Sequence, residues 1–352
     1  MSETFLLFVL GIALLLFGAD WLVAGATRIA RSMNISPLVI GLTVVAFGTS
    51  LPEAAVTVSA ALDGVTDVAL GNIVGSNIFN VLLILGIAAA IAPLFVSVQL
   101  LRQEVPIMIG TSLLLAGLIA DGLLSRSEGL FLLSLAVTYT VFLIVQARRS
   151  GAKLEEIQPE LPAPGRLDRL PAPIVVVIGL VMLVTGGSWL VESATTMARA
   201  LGISELVIGL TVVAVGTSLP EVATCVSAVL RGERDLAVGN VVGSNIFNIL
   251  FCLGLSSLVS PTGLPAPAPL LHFDLWIMVA TAAVTFPIIL TGRKVSHWEG
   301  WLLLVYCVAY IAYTLLAATE HDALPAFSYT MMIFVIPITA IAILASLLRQ
   351  TR

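Results

Sequence analysis

One segment of 46 residues occurs twice in this chain, and this repetition constrains the fold more than any other feature. Residues 41–86 recur at 209–254, an offset of 168 residues without a gap, and 32 of the 46 aligned positions are identical. Each copy places one glutamate, Glu53 or Glu221, directly after a proline within an otherwise apolar run. The chain is therefore expected to fold as two related halves, each with a single buried carboxylate.

Apolar runs of roughly 20 residues follow one another through most of the chain. Of its 352 residues, 59% are hydrophobic and 11% are charged, and the mean hydropathy is +1.09. These values lie far outside the range of soluble domains. A helix needs about 20 apolar residues to cross the hydrocarbon core. We therefore predict an all-α membrane protein with eleven transmembrane helices, spans 1 to 11, over residues 4–27, 37–62, 67–91, 103–121, 126–147, 173–198, 205–230, 235–259, 271–291, 298–318 and 326–348.

The basic residues divide unevenly between the two sides of the membrane that these spans define. When loops are assigned alternately, Arg126 and Arg199 fall on the side of the N-terminus, and the other 14 of the 16 fall on the opposite side. Loops rich in Lys and Arg face the cytoplasm. The N-terminus is therefore expected outside and the C-terminus in the cytoplasm. The 14 residues are Arg28, Arg31, Arg102, Arg148, Arg149, Lys153, Arg166, Arg169, Arg231, Arg234, Arg293, Lys294, Arg349 and Arg352.

The repeat extends beyond the 46-residue segment and defines two units of five spans. Residues 18–23 (GADWLV) align with 186–191 (GGSWLV), again 168 residues apart, so span 1 corresponds to span 6. Because five is odd, the second unit enters the membrane from the opposite face, and we expect two inverted-topology repeats. The predicted organisation is a first repeat over 1–147, a charged, proline-rich cytoplasmic linker over 148–172, an inverted second repeat over 173–318 and an extra C-terminal helix within 319–352.

The motif GTSLPE places cation-binding groups at a predicted helix break. Pro52 has no N–H, so the carbonyl of Gly48 loses its helical hydrogen bond. An unpaired carbonyl is costly in a membrane, and a bound cation would satisfy it. Thr49 and Glu53 are four residues apart and are expected to share a helix face. The other members of the pattern are Ser50 and Ala46 here, and Gly216, Thr217, Ser218, Pro220 and Glu221 in the second copy.

The motif GNIVGSNIFN adds a polar stripe to the helix that follows. Asn72, Ser76 and Asn80 are spaced by four residues and line one face of span 3. Asn77 lies off this stripe, where packing or satisfaction of a carbonyl is expected rather than ion binding. Four interrupted helices would meet near the middle of the membrane, with carboxylate, hydroxyl, amide and main-chain oxygens. The corresponding residues of span 8 are Asn240, Ser244, Asn248 and, off the stripe, Asn245.

This predicted ligand set is hard and all-oxygen, because neither motif contains His or Cys. It suits Ca²⁺, Na⁺ or Mg²⁺ rather than zinc or copper. One divalent ion neutralises the two glutamates, and a crowd of dehydrated oxygens favours Ca²⁺, since Mg²⁺ retains water. Two bare carboxylates are costly inside a bilayer, so an empty site is expected to resist switching sides. The pattern therefore predicts a carrier that exchanges ions rather than a pore.

The duplicated GTSLPE and GSNIFN motifs resemble the α-repeats of the calcium/cation antiporter superfamily, and most of all its prokaryotic-type sodium/calcium exchangers. The resemblance covers spans 1–10. It implies that Glu53 and Glu221 bind Ca²⁺ together with main-chain oxygens of Thr49 and Thr217. It also implies that spans 1 and 6 slide across the other eight. The Na⁺ sites that it implies use Ala46, Thr49, Ser50 and Ser76, and symmetrically Ala214, Thr217, Ser218 and Ser244.

The candidate ligands Asn80 and Asn248 depart from part of the family pattern. Some members carry Asp at these positions, so the site of this chain has two formal charges rather than three. Potassium co-transport is therefore not expected, because the potassium-dependent branch resembles the Asp version, and Na⁺ is the expected counter-ion. The alternatives are a Ca²⁺/H⁺ exchanger or other cation antiporter and, more remotely, a cation channel or an intramembrane hydrolase.

The remaining expectations concern location and partners. We expect a multi-pass protein of the plasma (inner) membrane that transports Ca²⁺ and Na⁺ and is not an enzyme. Its partners are these two ions and the lipid bilayer, without a cofactor, a nucleic acid or a required protein partner. Cys225, Cys252 and Cys307 fall within spans, so no disulfide framework is predicted.

Overall fold

The computed structural model describes residues 2–33, 35–150, 170–201 and 216–350. These residues are predominantly helical, as apolar segments in a membrane must be to satisfy their own backbone groups. The helices are α1 (Ser2–Ser32), α2 (Pro37–Ile40), α3 (Ala46–Thr49), α4 (Leu51–Leu62), α5 (Thr66–Phe79), α6 (Gly86–Ile91), α7 (Val105–Leu118), α8 (Arg126–Ser150), α9 (Ala172–Ala200), α10 (Leu219–Leu230), α11 (Arg234–Phe247), α12 (Gly254–Val259), α13 (Leu275–Leu290), α14 (His297–Ala318), α15 (Leu324–Thr330) and α16 (Ile336–Gln350).

Short π-helical segments join several of these helices into longer rods. A π-helical turn holds an additional residue and is frequent at functional sites. Asn80 begins one such turn between α5 and α6, and Asn248 begins its counterpart between α11 and α12. Candidate ligands thus lie where the helical hydrogen-bond ladder changes. The π-helical segments of the described residues are Gly41–Val45, Asn80–Leu85, Leu100–Glu104, Asn248–Leu253, Leu270–Asp274 and Met331–Val335.

The predicted all-α membrane fold is confirmed. Within the described residues, eight helices are long and apolar enough to cross a membrane, and a ninth crossing consists of Pro37–Thr49 and Leu51–Leu62, bent by 43°. Helix α7 with its π-helical start corresponds to span 4, and α10 to the second half of span 7. The first half of span 7, and residues 151–169 of the predicted linker, lie outside the described residues.

Two short antiparallel strand pairs join the halves of the chain symmetrically. Strand β1 (Leu94–Phe95) pairs with β4 (Lys294–Val295), and β2 (Leu123–Leu124) pairs with β3 (Leu264–Pro265). Strand β3 follows span 8 as β1 follows span 3, and β4 precedes span 10 as β2 precedes span 5. Strand β1 precedes span 4 and β2 follows it. Because β3 pairs with β2, β3 lies at the opposite end of span 4 from its equivalent strand β1. Inverted repeats produce this arrangement, and the hydropathy pattern did not predict the strands.

The centre of the bundle is formed by spans 3 and 8, the two helices that carry the GSNIFN motif. The most apolar 18-residue window of Arg234–Val259 is 94% buried and that of Val68–Ile91 is 78% buried, against 33% for α1 and α9 and 6% for the C-terminal span. Helices α1 and α9 pack against each other through glycines, since a Cβ on Gly186 would lie 2.8 Å from the carbonyl oxygen of Gly11. Small residues allow such close backbone contact in membranes.

Candidate cation site

In both copies of GTSLPE a helix begins directly after the serine. Ser50 has φ −79° and ψ 2°, and Ser218 has φ −88° and ψ 6°, so α4 and α10 each begin one residue later. The proline that follows occupies the first turn of the new helix, where its missing N–H removes no helical bond. Glu53 and Glu221 lie in these first turns and are each only 1% exposed. The positive end of a helix dipole therefore supports each buried carboxylate.

The break changes one expectation from the sequence. Thr49 and Glu53 do not share the face of a continuous helix, because the axis bends by 43° between them. Both side chains are nevertheless buried, and the amide of Ser50 still donates to the carbonyl of Ala46 at 3.1 Å.

The two breaks meet each other in the centre of the bundle. The hydroxyl of Ser218 donates to a carboxylate oxygen of Glu53 at 3.4 Å. Between the two halves of the chain, the hydroxyl of Thr49 also donates to the side-chain oxygen of Asn240 at 3.2 Å. Glu221 lies in the first turn of α10, directly after Pro220 and in the same motif as Ser218. Groups from spans 2, 7 and 8 therefore meet here.

Four asparagines join spans 3 and 8 beside these carboxylates. The amide of Asn80 donates to the side-chain oxygen of Asn245 at 3.0 Å, and the amide of Asn248 donates to that of Asn77 at 3.1 Å. Each bond links one repeat to the other, and the two bonds are related by the 168-residue offset. Asn77 also donates to the main-chain carbonyl of Asn245 at 3.2 Å. The four amides thus form a symmetric cross-link at the centre of the protein.

Many buried oxygens around this point have no hydrogen-bond partner among the described residues. Leaving such groups unsatisfied is costly in a dry interior, so their convergence favours a site for a positively charged guest. They belong to side chains of both repeats and are hard donors, which suit Ca²⁺ and Na⁺ rather than soft metals. The atoms are Ser50 Oγ, Glu53 Oε2, Ser76 Oγ, Asn80 Oδ1, Thr217 Oγ1, both carboxylate oxygens of Glu221, Thr224 Oγ1 and Ser244 Oγ.

The described residues contain no group of three or more His, Cys, Asp and Glu side chains that could hold a metal. Among the described residues, the charge at the candidate site comes from Glu53 and Glu221, and the other unpartnered oxygens there are neutral. A resident transition-metal centre does not fit this donor set. A hard cation held by two carboxylates and neutral oxygens does fit it.

Most of the predicted site residues are buried inside the bundle. Thr49, Ser50, Ser76, Asn80, Ser218, Ser244 and Asn248 are at most 3% exposed. Ala46 is fully buried, and its small side chain allows close contact, since a Cβ on Gly243 would lie 2.8 Å from the Cβ of Ala46. Thr217 is half-buried, with its hydroxyl in the group of unpartnered oxygens. Ala214 lies outside the described residues.

Asn77 and Asn245 contact the candidate ligands directly, whereas the sequence predicted that they only pack or satisfy a carbonyl. They lie off the stripe, but each accepts the hydrogen bond that orients a candidate ligand of the other repeat. Their occurrence at the same position of both motif copies was the signal that could have identified them. By contrast, Asn72 donates to Thr57 within its own repeat at 3.2 Å, which is a packing contact between spans 2 and 3.

The amino-acid sequence matches a known family. The sequence profile described as sodium/calcium exchanger protein matches residues 3–145 and 171–318. The chain belongs to this family. The match includes both repeats and leaves out the C-terminal span. Membership places the protein among cation antiporters that cross the membrane several times.

Relatives over nearly the full length agree with this assignment. The chain is 34% identical over 345 residues to sodium/calcium exchanger MaX1 of Methanosarcina acetivorans, covering 88% of this chain and 98% of the relative. It is 39% identical over 316 residues to inner membrane protein YrbG of Escherichia coli (strain K12), covering 85% and 96%. It also resembles the solved structure of the sodium-calcium exchanger NCX_Mj soaked with 2.5 mM Na⁺ and 0.1 mM Ca²⁺, with a TM-score of 0.76, 32% identity and coverage of 88% and 98%.

Proposed function

We propose that this protein exchanges Ca²⁺ for Na⁺ across the membrane by alternating access. The observation that carries the proposal is the convergence of two buried carboxylates with unpartnered hydroxyl and amide oxygens of both repeats. The relative MaX1 is named a sodium/calcium exchanger, and the structurally similar NCX_Mj is a sodium-calcium exchanger in which extracellular ion exchange and induced binding-site occlusion are described. Both relatives support the same pair of ions here.

In this proposal Glu53 and Glu221 are the charged ligands of Ca²⁺, with main-chain oxygens of Thr49 and Thr217. Na⁺ uses the surrounding neutral oxygens with the same carboxylates. The proposed sets are Ala46, Thr49, Ser50 and Ser76 in the first repeat and Ala214, Thr217, Ser218 and Ser244 in the second, with Asn80 and Asn248 beside them. Because the ions share ligands, binding of one is expected to displace the other.

The charge balance gives a physical reason for obligatory exchange. Two ionised carboxylates in the bilayer centre are unfavourable, by about 3 kcal/mol or more for each charge. One Ca²⁺ or two Na⁺ would neutralise the pair. Reorientation of the loaded site is then favoured over reorientation of the empty one. Under this scheme Ca²⁺ moves only when Na⁺ or another cation returns.

The proposed topology has the N-terminus outside and the C-terminus in the cytoplasm of a plasma (inner) membrane. In support, β1 and β4 belong to loops that the distribution of basic residues assigns to the cytoplasm, and β2 and β3 to loops assigned outside. The E. coli relative is named an inner membrane protein. The proposed division is 1–147, 148–172, 173–318 and 319–352, with the second segment as a cytoplasmic linker.

The direct test is ⁴⁵Ca²⁺ uptake into proteoliposomes with a Na⁺, a K⁺ or a pH gradient as the only driving force. Uptake driven by internal Na⁺ alone is expected. It should be abolished in Glu53→Gln and in Glu221→Gln, because either change leaves a net positive charge on the Ca²⁺-loaded site. Glu320→Gln, which alters an exposed carboxylate between α14 and α15, is the matched control and should transport normally.

Three results would contradict parts of this proposal. Uptake driven only by the pH gradient would identify a Ca²⁺/H⁺ exchanger. Uptake without any counter-ion would refute antiport and favour a channel. Normal Na⁺-driven uptake by Glu53→Gln or Glu221→Gln would remove the carboxylates from the site.

A further inference from the structure

An elongated cavity of about 470 Å³ lies between the second repeat and the C-terminal span. One wall is formed by α13 and its π-helical start, a second by α14, and the third by α15, Met331–Val335 and α16. The sodium/calcium exchanger profile ends at residue 318. The cavity is therefore built from the family core and from a helix that lies beyond the family match.

The cavity runs along the helices rather than across them. Its lining extends from Phe273 to Ile288 on one wall and from Phe327 to Ile343 on another. At 1.5 Å per residue these stretches measure about 22 to 24 Å. The hydrocarbon core is about 30 Å thick. The space is thus elongated, runs parallel to transmembrane helices and is shorter than the acyl-chain region is thick.

The chemistry of the lining excludes a polar guest. None of the lining residues is charged, and the surface is almost entirely apolar. Its main polar groups are already engaged, since Tyr306 donates to the hydroxyl of Thr339 at 2.8 Å and Tyr310 donates to Asp274 at 2.9 Å. Water is held in cavities that offer two to four polar partners. A hydrated ion or a polar headgroup would find few partners here.

The position of the C-terminal span shows where a guest would come from. The most apolar window of this span is only 6% buried, and side chains such as Met332, Ile338 and Ile341 are at least 62% exposed on it. In a membrane these surfaces contact lipid. The Tyr306–Thr339 hydrogen bond fastens the span to α14, Ile343 is buried against the core, and the cavity lies between these contacts and the second repeat.

We propose that this cavity is a binding site for one acyl chain of a bilayer phospholipid. The chain would complete the packing between the C-terminal span and the core, where unfilled space would forfeit dispersion contacts. Leu82 also lines the cavity, and it lies in the π-helical turn that begins at Asn80. The bound chain therefore packs against the same turn that carries a candidate cation ligand. This lipid site does not depend on which ions the protein exchanges.

The test uses the full-length protein in vesicles of phosphatidylethanolamine and phosphatidylglycerol. A trace of phosphatidylethanolamine with a photoreactive diazirine midway along one acyl chain is added, and labelled peptides are located by mass spectrometry after illumination. We expect labelling of the cavity walls, on peptides that contain Tyr306 and Met331. Ala309→Phe and Ala340→Phe each fill the cavity from a different wall and should reduce this labelling at least five-fold.

Two substitutions of the same kind serve as controls for folding and for lipid that merely surrounds the protein. Val308→Phe and Ile341→Phe lie next in sequence to the filling variants, but their side chains are each 66% exposed. They should leave labelling of the cavity unchanged. Labelling that is no stronger at Tyr306 and Met331 than at the exposed Val141 and Phe142 of α8 would overturn the proposal. So would labelling that persists in both filling variants.

Discussion

The asparagine cross-link between spans 3 and 8 makes a sharp prediction about Ca²⁺ affinity. In the structure, the amide of Asn80 donates to the side chain of Asn245, and this bond directs the unpartnered Oδ1 of Asn80 away from Asn245. Asn245→Leu keeps a similar volume but removes the acceptor. The amide of Asn80 is then free to rotate and no longer presents a fixed oxygen. We expect Ca²⁺ to bind more weakly while the protein still folds.

The size of the effect follows from the bonds that are lost. A hydrogen bond between transmembrane helices contributes about 0.6 kcal/mol on average and up to about 1.7 kcal/mol. A buried polar group left without a partner costs about 1 to 3 kcal/mol, part of which rotation of Asn80 recovers. A net loss of about 1 to 2 kcal/mol corresponds to a roughly 5- to 30-fold weaker affinity. By symmetry, Asn77→Leu releases Asn248 and should weaken binding to a similar extent.

The assay is equilibrium ⁴⁵Ca²⁺ binding to purified protein in Na⁺-free buffer, with thermal unfolding measured on the same samples. Asn72→Leu is the matched control, because it removes an asparagine from α5, the helix that leads into Asn80, and this asparagine bonds only to Thr57 among the contacts described. It should change Ca²⁺ affinity less than two-fold. The reasoning fails if Asn245→Leu lowers the melting temperature without changing Ca²⁺ affinity, or if the control weakens binding as much.

Three further predictions concern packing, pH and a buried carboxylate. Gly186→Ala should destabilise the protein by about 1 to 3 kcal/mol in thermal unfolding, because the added Cβ would lie 2.8 Å from the backbone of α1. Gly187→Ala is the control and should be tolerated, because the nearest atom to its added Cβ is 3.6 Å away. Burial raises the pKa of Glu233 above its ordinary value of 4.5. The carboxyl therefore favours folding fully below pH 4.5, where it is protonated, and this stabilisation is lost as the pH rises through the raised pKa of the folded state. Glu233→Gln cannot ionise, so the melting temperature of this variant should fall less over the same pH range. Tyr139→Phe removes a 2.7 Å hydrogen bond to the fully buried Glu104 and should lower the free energy of unfolding by about 1.5 to 3 kcal/mol. An unchanged melting temperature would show that the bond does not stabilise the protein.

The helical architecture could be predicted because the membrane leaves few alternatives. Apolar length determined the spans, and the predicted starts and ends lie within a few residues of most described helices. Helix α1 is an exception, since it continues past the predicted end at residue 27 to Ser32. Its last turns carry Arg28 and Arg31, which hydropathy excludes from a span but which a helix tolerates once it leaves the membrane. The strands and π-helical turns had no hydropathy signal, because they depend on contacts between distant segments.

The candidate site could be predicted in composition but not in bonding. The duplication identified the residue types that meet, since both motif copies had to occupy equivalent places around one axis. It could not tell which partners would pair, because a two-fold axis allows a residue of one repeat to contact several positions of the other. Asn80 and Asn248 are equivalent, yet each bonds to the off-stripe asparagine of the opposite repeat rather than to its own equivalent.

A single difference between the repeats also accounts for a break in their symmetry. Asn72 donates to the hydroxyl of Thr57, but the position equivalent to Thr57 in the second repeat is Cys225, whose thiol contacts a main-chain carbonyl instead. Without a hydroxyl at this position, the amide nitrogen of Asn240 has no partner among the described residues, while its side-chain oxygen accepts a hydrogen bond from Thr49 of the other repeat. The two halves of the candidate site therefore have different hydrogen bonds. Replacing Cys225 with Thr should give Asn240 a local partner, and a change in Ca²⁺ affinity in this variant would show that the difference between the repeats tunes the site.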